Sequence, residues 1–97
     1  MIRHVVVFRW DGEMTDAMEQ QFAAELTALA PRLTGLRSFR CGPDAGILEG
    51  NFDFAVVADF EDAASYLAYR DNAEHQAIIS RFSGPHAQAR AAVQYEI

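Results

Sequence analysis

The clearest structural signal in the chain is Phe52-Asp53-Phe54-Ala55-Val56-Val57-Ala58-Asp59-Phe60. The side chains of a strand point alternately to its two faces. One face of this segment is apolar throughout, and the other carries alanine and valine between two aspartates. A strand that is apolar on both faces at its centre is typical of a strand buried on both sides. The segment therefore predicts a central strand that needs cover on two sides.

Residues 2–10 repeat this pattern at the start of the chain. One alternating set is Ile2, His4, Val6, Phe8 and Trp10, and the other is Arg3, Val5, Val7 and Arg9. Weaker strand signals follow at residues 36–41 and at residues 91–97, where the side chains at positions 93, 95 and 97 share one side. The sequence thus predicts four strands.

A first helical region lies between the first two strands. Thr15 or Asp16 can cap its start, and Pro31 predicts that it ends near Ala30, because proline cannot continue the helical hydrogen bonds. Its apolar residues recur at helical spacing. They are Met18, Phe22, Leu26, Leu29 and Leu33.

A second helical region begins at Asp62 and breaks at Asp71-Asn72. Asn72 can cap a short third helix, which Ser83-Gly84-Pro85 ends. One face of that helix presents residues at i, i+3, i+4 and i+7. They are His75, Ile78, Ile79 and Phe82.

The elements follow the order β-α-β-β-α-β over residues 1–97, which predicts a single α+β domain with a ferredoxin-like fold. Right-handed crossovers place the helices on one face of a four-stranded antiparallel sheet. The other face then exposes more apolar surface than a soluble monomer usually tolerates. We therefore expect a homodimer, a dimeric α+β barrel whose two sheets enclose a shared interior lined by the side chains that point away from the helices.

The charge balance argues against two classes of partner. Fourteen acidic residues against eight basic ones give a net charge of -6, so we expect neither nucleic-acid nor membrane binding. The N-terminus leads directly into a strand, and we expect no signal peptide and no membrane span. The lone Cys41 cannot form an intrachain disulfide, which favours a reducing, cytoplasmic location.

We also expect no cofactor and no metal. Residues 42–51 hold three glycines and a proline, but they lack a Gly-Lys-Ser/Thr ending and lead into a strand instead of a helix. They therefore do not predict a phosphate-binding loop. No Cys/His cluster has zinc spacing, and pairing with Arg3 or Arg9 across strands explains Asp53 and Asp59 better than a metal does.

Four segments together resemble one family of small proteins. They are Ile2-Arg3-His4-Val5-Val6-Val7-Phe8, the strand from Phe52 to Glu61, Tyr66-Leu67-Ala68-Tyr69-Arg70-Asp71-Asn72-Ala73-Glu74-His75-Gln76-Ala77, and Val93-Gln94-Tyr95-Glu96. Their order and spacing are similar to those of the stress-responsive A/B barrel domain (Dabb) family of the dimeric α/β barrel superfamily. The resemblance covers nearly the whole chain.

The resemblance implies a dimeric barrel of a family with few assigned activities. One characterised relative, a plant polyketide cyclase, performs an aldol reaction without a cofactor. That relative uses a tyrosine, a histidine six residues later and a histidine on the first strand. These positions match Tyr69, His75 and His4 here, which become our candidate catalytic residues. Many relatives carry His-Pro at the start of the helix that holds the histidine matching His75, and this chain departs from them with Asn72-Ala73.

Each candidate also has an ordinary structural explanation. His4 is either a hydrogen-bonded core histidine or a base, and His75 opens a helix, where capping is a common role. Tyr69 can serve packing alone, and Tyr66 can take the same part. The candidate ligand contacts share the face of His4 or lie beside Tyr69. They are Val6, Phe8, Trp10 and Tyr66. His86 is expected on an exposed surface loop.

Three functions are open at this point. The first is a homodimer that binds a small organic ligand, polyketide or aromatic, with acid-base chemistry by His4, Tyr69 and His75. The second is a non-catalytic, stress-protective or structural oligomer whose interior is dimer core only. The third is a cofactor-free monooxygenase or isomerase, which rests on analogy with other ferredoxin-like dimers.

Overall fold

Four strands form one antiparallel sheet in the computed structural model, which describes all residues, 1–97. The strands are β1 (Ile2–Trp10), β2 (Leu36–Pro43), β3 (Phe54–Phe60) and β4 (Ala87–Glu96), and their order in the sheet is β2-β3-β1-β4. The helices are α1 (Asp16–Leu29), α2 (Ala63–Asp71), α3 (Ala73–Arg81) and α4 (Ser83–His86), and a 3-10 turn (Ala30–Arg32) follows α1. This order confirms the predicted ferredoxin-like fold.

The helices begin at polar caps that the sequence predicted. The Thr15 hydroxyl accepts a hydrogen bond from the Met18 backbone N–H at 3.1 Å, and this satisfies one of the free donors at the start of α1. The Asn72 side chain does the same for α3 by accepting from the His75 N–H at 3.0 Å. The caps fix where each helix starts, and therefore which side chains it turns toward the sheet.

The face of the sheet that carries even-numbered residues of β1 and β3 packs against the helices, and we call it the helix face. Val6 lies beside Val56 and Phe8 beside Phe54 in the β1–β3 register. With Phe22 of α1 these side chains form a core that is almost fully buried. Burial of this apolar surface is the main stabilising contribution to the fold.

The opposite side, the open face, has no helix against it. Its centre is apolar and consists of Val5, Val7, Ala55, Val57 and Val93. Val93 and Tyr95 are 54% and 45% exposed, respectively. At one end of this face the Arg3 guanidinium holds the Asp59 carboxylate through two hydrogen bonds of 2.7 and 2.9 Å. The predicted cross-strand pairing of Asp59 with Arg3 is therefore confirmed.

The bounds of β2, β3 and β4 differ from the predictions, and β2 continues to Pro43. β3 begins at Phe54 instead of Phe52. Just before it, the Asp53 N–H donates to the Phe8 carbonyl, its carboxylate accepts from the Trp10 N–H, and its carbonyl accepts from the Asp44 N–H that follows β2. β4 begins at Ala87, four residues before the predicted start at Ala91. The early part of β4 was missed because its alanine-rich sequence lacks the large alternating side chains that mark a strand.

The prediction of His86 on an exposed loop is wrong. His86 ends α4, its side chain is 19% exposed, and its Nδ1 lies 3.2 Å from the Asp11 carboxylate. α4 packs closely onto α3 at Gly84, where an added Cβ would lie 2.9 Å from the Ile79 carbonyl oxygen. The Ser83-Gly84-Pro85 segment, predicted only as a helix end, therefore forms a short helix of its own.

Candidate functional site

A cavity of about 300 Å³ lies between the helix face and α2, α3 and α4, within one chain. Its wall is mainly apolar, and its polar lining includes His4, Tyr69 and His75. A ligand pocket in the interior shared by two sheets requires the candidate contacts on the face of His4 to point away from the helices. That position is wrong, because these side chains face the helices of their own chain and the side chains on the open face are a different set.

A break between two helices brings Tyr69 and His75 together. Asn72 has φ -59° and ψ 132°, an extended conformation that ends α2 and lets α3 start in a new direction. Tyr69 in the last turn of α2 then faces His75 in the first turn of α3, and their ring centroids lie 4.1 Å apart. The His4 ring lies 6.2 Å from that of Tyr69. The structure therefore brings all three predicted catalytic residues to one cavity, and we call them the cavity trio.

Hydrogen bonding assigns the single proton of the neutral His4 ring to one of its two nitrogens. The Gln94 amide nitrogen lies 2.9 Å from His4 Nδ1, and, as that amide is oriented, it donates and Nδ1 accepts. The proton of the neutral ring is then on Nε2. Burial lowers the pKa of His4 to about 4, and the nearby Arg90 and His75 act in the same direction. At neutral pH His4 is therefore an uncharged ring with one N–H to donate.

His75 has the opposite arrangement. Its Nδ1 lies 3.4 Å from the Arg70 carbonyl oxygen, which can only accept, so Nδ1 carries the proton and Nε2 keeps a free lone pair. Burial lowers the pKa of His75 as well, although the Arg70 carbonyl acts against this change. The two histidines are thus both neutral at pH 7, one with a free donor and the other with a free acceptor.

Tyr69 adds a second neutral donor. Burial raises the pKa of its hydroxyl, with smaller contributions from Tyr66 and Cys41, so the proton stays on the oxygen at physiological pH. Every fully buried side-chain nitrogen or oxygen atom has a hydrogen-bond partner. The Tyr69 hydroxyl makes no hydrogen bond within the chain and is therefore accessible from the cavity.

The predicted ligand contacts divide into two groups. Val6, Phe8 and Tyr66 line the cavity, and the Tyr66 ring lies 4.8 Å from that of His4. Trp10 does not line it, which corrects the prediction for this residue. Its indole stacks on Phe8 at 5.2 Å, and its N–H donates to Glu19 at 2.8 Å. An indole whose polar edge is already bonded to α1 belongs to the packing at that end of the molecule.

The family model described as Stress responsive A/B Barrel Domain (Dabb) matches residues 2–97. The chain belongs to this family. The family model thus spans the sheet, the helices and every residue of the cavity trio. Among curated proteins, no match was found for this Dabb chain.

Solved structures repeat the Dabb fold. A dimeric ferredoxin-like protein of unknown function from Thermobifida fusca has 34% identity and a TM-score of 0.91, with 99% of this chain and 90% of that chain covered. The hydroxynitrile lyase from Passiflora edulis has 19% identity and a TM-score of 0.83, covering 99% and 92%. A putative antibiotic biosynthesis monooxygenase from Nitrosomonas europaea has 15% identity and a TM-score of 0.81, covering 100% and 98%. The last two likenesses show the fold alone.

Sequence reasoning missed Arg90, which lines the Dabb cavity, and Gln94, which bonds to His4 behind it. Both lie on the helix face of β4, Gln94 beside His4 and Arg90 beside Phe8 in the β1–β4 register. The signal was their even numbering, but only the apolar set at positions 93, 95 and 97 was used to define the strand. No group of three or more histidine, cysteine or carboxylate side chains is placed to hold a metal ion. No helix is long and apolar enough to cross a membrane.

Proposed function

We propose that each protomer binds a small organic molecule in its own cavity and moves a proton on it with the side chains of the cavity trio. The observation that carries the proposal is the pair of neutral histidines with opposite free groups, the Nε2 lone pair of His75 and the Nε2–H of His4. A base and an acid that coexist in neutral form at pH 7 suit general acid-base catalysis. Core histidines with only a packing role would not need to share an open cavity with a free tyrosine hydroxyl.

The reaction that fits this arrangement is proton abstraction next to a carbonyl group. The His75 Nε2 lone pair takes a proton from the α-carbon, and the C–H electron pair moves into the carbonyl to give an enolate oxygen. The Tyr69 hydroxyl and the His4 Nε2–H stabilise that oxygen by donating hydrogen bonds. In an aldol cyclisation the enolate carbon attacks a second carbonyl of the same molecule, and the alkoxide that forms takes the proton back from His75 Nε2. In an isomerisation His75 Nε2 returns the proton to another carbon of the enolate.

The cavity wall favours an aromatic or polyketide ligand. Phe8, Tyr66 and Tyr69 present ring surface, and aliphatic side chains form a further part of the wall. Flat, apolar molecules with a few carbonyl or hydroxyl groups match such a lining, because the polar groups meet the cavity trio and the rest replaces contact with water. A volume of about 300 Å³ is at the lower end of the usual range for ligand pockets, which fits a molecule of one ring with a short chain.

The protein also acts as a homodimer in this proposal. The open face is the support, because an apolar sheet centre without a covering helix favours association with a second copy. The Thermobifida fusca relative is itself dimeric. In the dimer two cavities lie on the outer sides of the paired sheets, one in each protomer, so the chemistry does not depend on the interface for its residues.

Hydrogen-deuterium exchange at the α-carbons of 4-phenylbutan-2-one in D2O tests the chemistry directly. The compound carries one ring and one carbonyl, and 1H NMR follows the loss of its α-hydrogens. We expect the protein to accelerate exchange over buffer, and the His75→Gln variant to lower that acceleration by at least about a hundredfold, because it removes the base. His4→Gln and Tyr69→Phe each remove one donor to the enolate and reduce the rate less.

His86→Gln is the matched control, since His86 is bonded to Asp11 and does not line the cavity. Its exchange rate should equal that of the unaltered protein, and circular dichroism of each variant checks that the fold is kept. Exchange no faster than in buffer, or exchange unaffected by His75→Gln, would contradict the proposed chemistry. The non-catalytic dimer would then be the better explanation of the fold.

A further inference from the structure

The cavity carries positive charge in a strongly acidic protein. The chain has fourteen acidic and eight basic residues, yet no aspartate or glutamate lines the cavity, while Arg70 and Arg90 do. A cavity formed without regard to charge in such a chain would be expected to include carboxylates. The distribution of charge therefore favours an anionic ligand over a neutral or cationic one.

Arg90 is the arginine that remains free for such a ligand. Five of the eight arginines are held by carboxylates, among them Arg70 by Asp71 at 2.9 Å. Arg9 and Arg40 each donate to a backbone carbonyl. The guanidinium of Arg90 makes neither an ion pair nor a hydrogen bond within the chain.

The position of Arg90 relates its charge to the cavity trio. In the β1–β4 register Arg90 lies beside Phe8. Gln94, four residues further along β4, lies beside His4. Four residues of a strand span about 13 Å, so the two ends of the cavity floor are separated by roughly the length of a small one-ring molecule. The charge of Arg90 also lowers the pKa of both His4 and Tyr69, which places the guanidinium within electrostatic range of both groups.

We propose that the ligand carries a carboxylate at one end, that Arg90 binds this carboxylate at the cavity mouth, and that the rest of the molecule extends toward the cavity trio. A guanidinium matches a carboxylate with two parallel N–H···O bonds. The inference rests on the proposed function for the role of the trio, but its test does not require catalysis.

The test compares 4-phenylbutanoate with 4-phenylbutanamide by isothermal titration calorimetry at low ionic strength. The two probes share ring and chain length and differ in charge. We expect the acid to bind at least about tenfold more tightly than the amide, as a charge-assisted hydrogen bond predicts. Arg90→Gln should remove this preference, and Arg90→Lys should keep most of it. Added salt should weaken binding of the acid only.

Arg40→Gln is the control for a general loss of positive charge, because Arg40 also lacks a carboxylate partner and lies outside the cavity. It should keep the preference for the acid. The proposal is overturned if the acid does not bind, if the unaltered protein does not prefer it to the amide, or if Arg90→Gln retains the preference. A ketone exchange assay that fails while the acid binds through Arg90 would reject the proposed chemistry and leave this inference standing.

Discussion

The two faces of β1 differ in what their charged and polar groups do. On the helix face, His4 is buried beside a cavity, and its imidazole is held neutral by burial and by Gln94. On the open face, one residue earlier, Arg3 is held charged by a bidentate pair with Asp59. Two consecutive residues near the start of β1 therefore differ: His4 has a free N–H that faces the cavity side, and the guanidinium of Arg3 is already hydrogen-bonded on the other side.

This difference separates two uses of the same sheet. Groups with free hydrogen-bonding capacity collect where helices enclose space, namely the cavity trio and Arg90. The open face has an apolar centre and an ion pair at its end, which is the composition of a contact surface. We infer that chemistry and association are assigned to opposite faces, so that substitutions on one face should leave the property of the other unchanged.

The largest expected effect comes from placing a charge on the open face. Val5→Asp puts a carboxylate between Val57 and Val93, where a second sheet would bury it without a partner. We expect the dissociation constant of the dimer to rise by at least about a thousandfold, roughly 4 kcal/mol, measured by sedimentation equilibrium. Leu67→Glu on the exposed side of α2 is the control and should leave the dimer intact. A dimer unaltered by Val5→Asp would show that the open face is not the interface.

Alternation in the sequence was enough to sort residues into faces, but it did not show what each face meets. The set of His4, Val6 and Phe8 was correctly grouped, but its alternation did not show that it faces the helices. The candidate residues contained the missing information. Tyr69 and His75 lie on helices, so a site that joins them to His4 has to lie on the side of the sheet that the helices cover.

Gln94 and Arg90 were missed for a different physical reason. Both lie on an edge strand whose helix face is only partly covered, so their polar side chains gave no apolar period to detect. Their roles depend on the partner across the strand pair, and the β1–β4 register is a tertiary property. The cap at Asn72 was predictable, since it depends on residues three positions apart, and it is this cap that orients His75.

The second prediction uses the buried histidine of the helix face. The pKa of His4 is about 4 in the folded protein against 6.5 for the free side chain, so the unfolded chain binds a proton first as the pH falls. Stability is therefore complete above pH 6.5 and is lost as the pH drops toward 4, by about 3 kcal/mol from this group. Urea unfolding at a series of pH values measures this loss.

The His4→Gln variant should lose most of that pH dependence, while a smaller part remains because burial also lowers the pKa of His75. His86→Gln, outside the cavity, should keep the full dependence. An unaltered slope in His4→Gln would mean that His4 is not held neutral by burial. The neutral acid that the proposed chemistry needs would then lose its support.

Two neighbours on β3 provide a third, smaller effect. Val56 is buried on the helix face, and Val57 lies on the open face. Val56→Ala should lower the unfolding free energy of the protomer by about 2 kcal/mol, because it removes two methyl groups from a packed core. Val57→Ala should act mainly on the dimer dissociation constant. Protomer unfolding is measured at protein concentrations below the dissociation constant of the dimer. Equal effects of both variants there would show that the two faces are not separate in function.

The smallest effect compares a partly buried acid-arginine pair with an exposed one. Arg3 and Asp59 form the partly buried pair on the open face, and Arg70 and Asp71 form the exposed pair at the end of α2. In each pair the arginine lowers the pKa of the aspartate. Each pair therefore stabilises the fold above the ordinary aspartate pKa of 3.8, and this stabilisation is lost as the pH falls through the lower pKa of the folded state.

At pH 7 we expect Asp71→Asn to leave the melting temperature nearly unchanged, because isolated surface ion pairs contribute little to stability. Asp59→Asn should lower it by a few degrees, and more at protein concentrations where the open face is covered by a second copy, since exclusion of water strengthens a charged pair that already has good geometry. Differential scanning calorimetry at two protein concentrations measures both variants, and a concentration-independent result for Asp59→Asn would place this pair outside the interface.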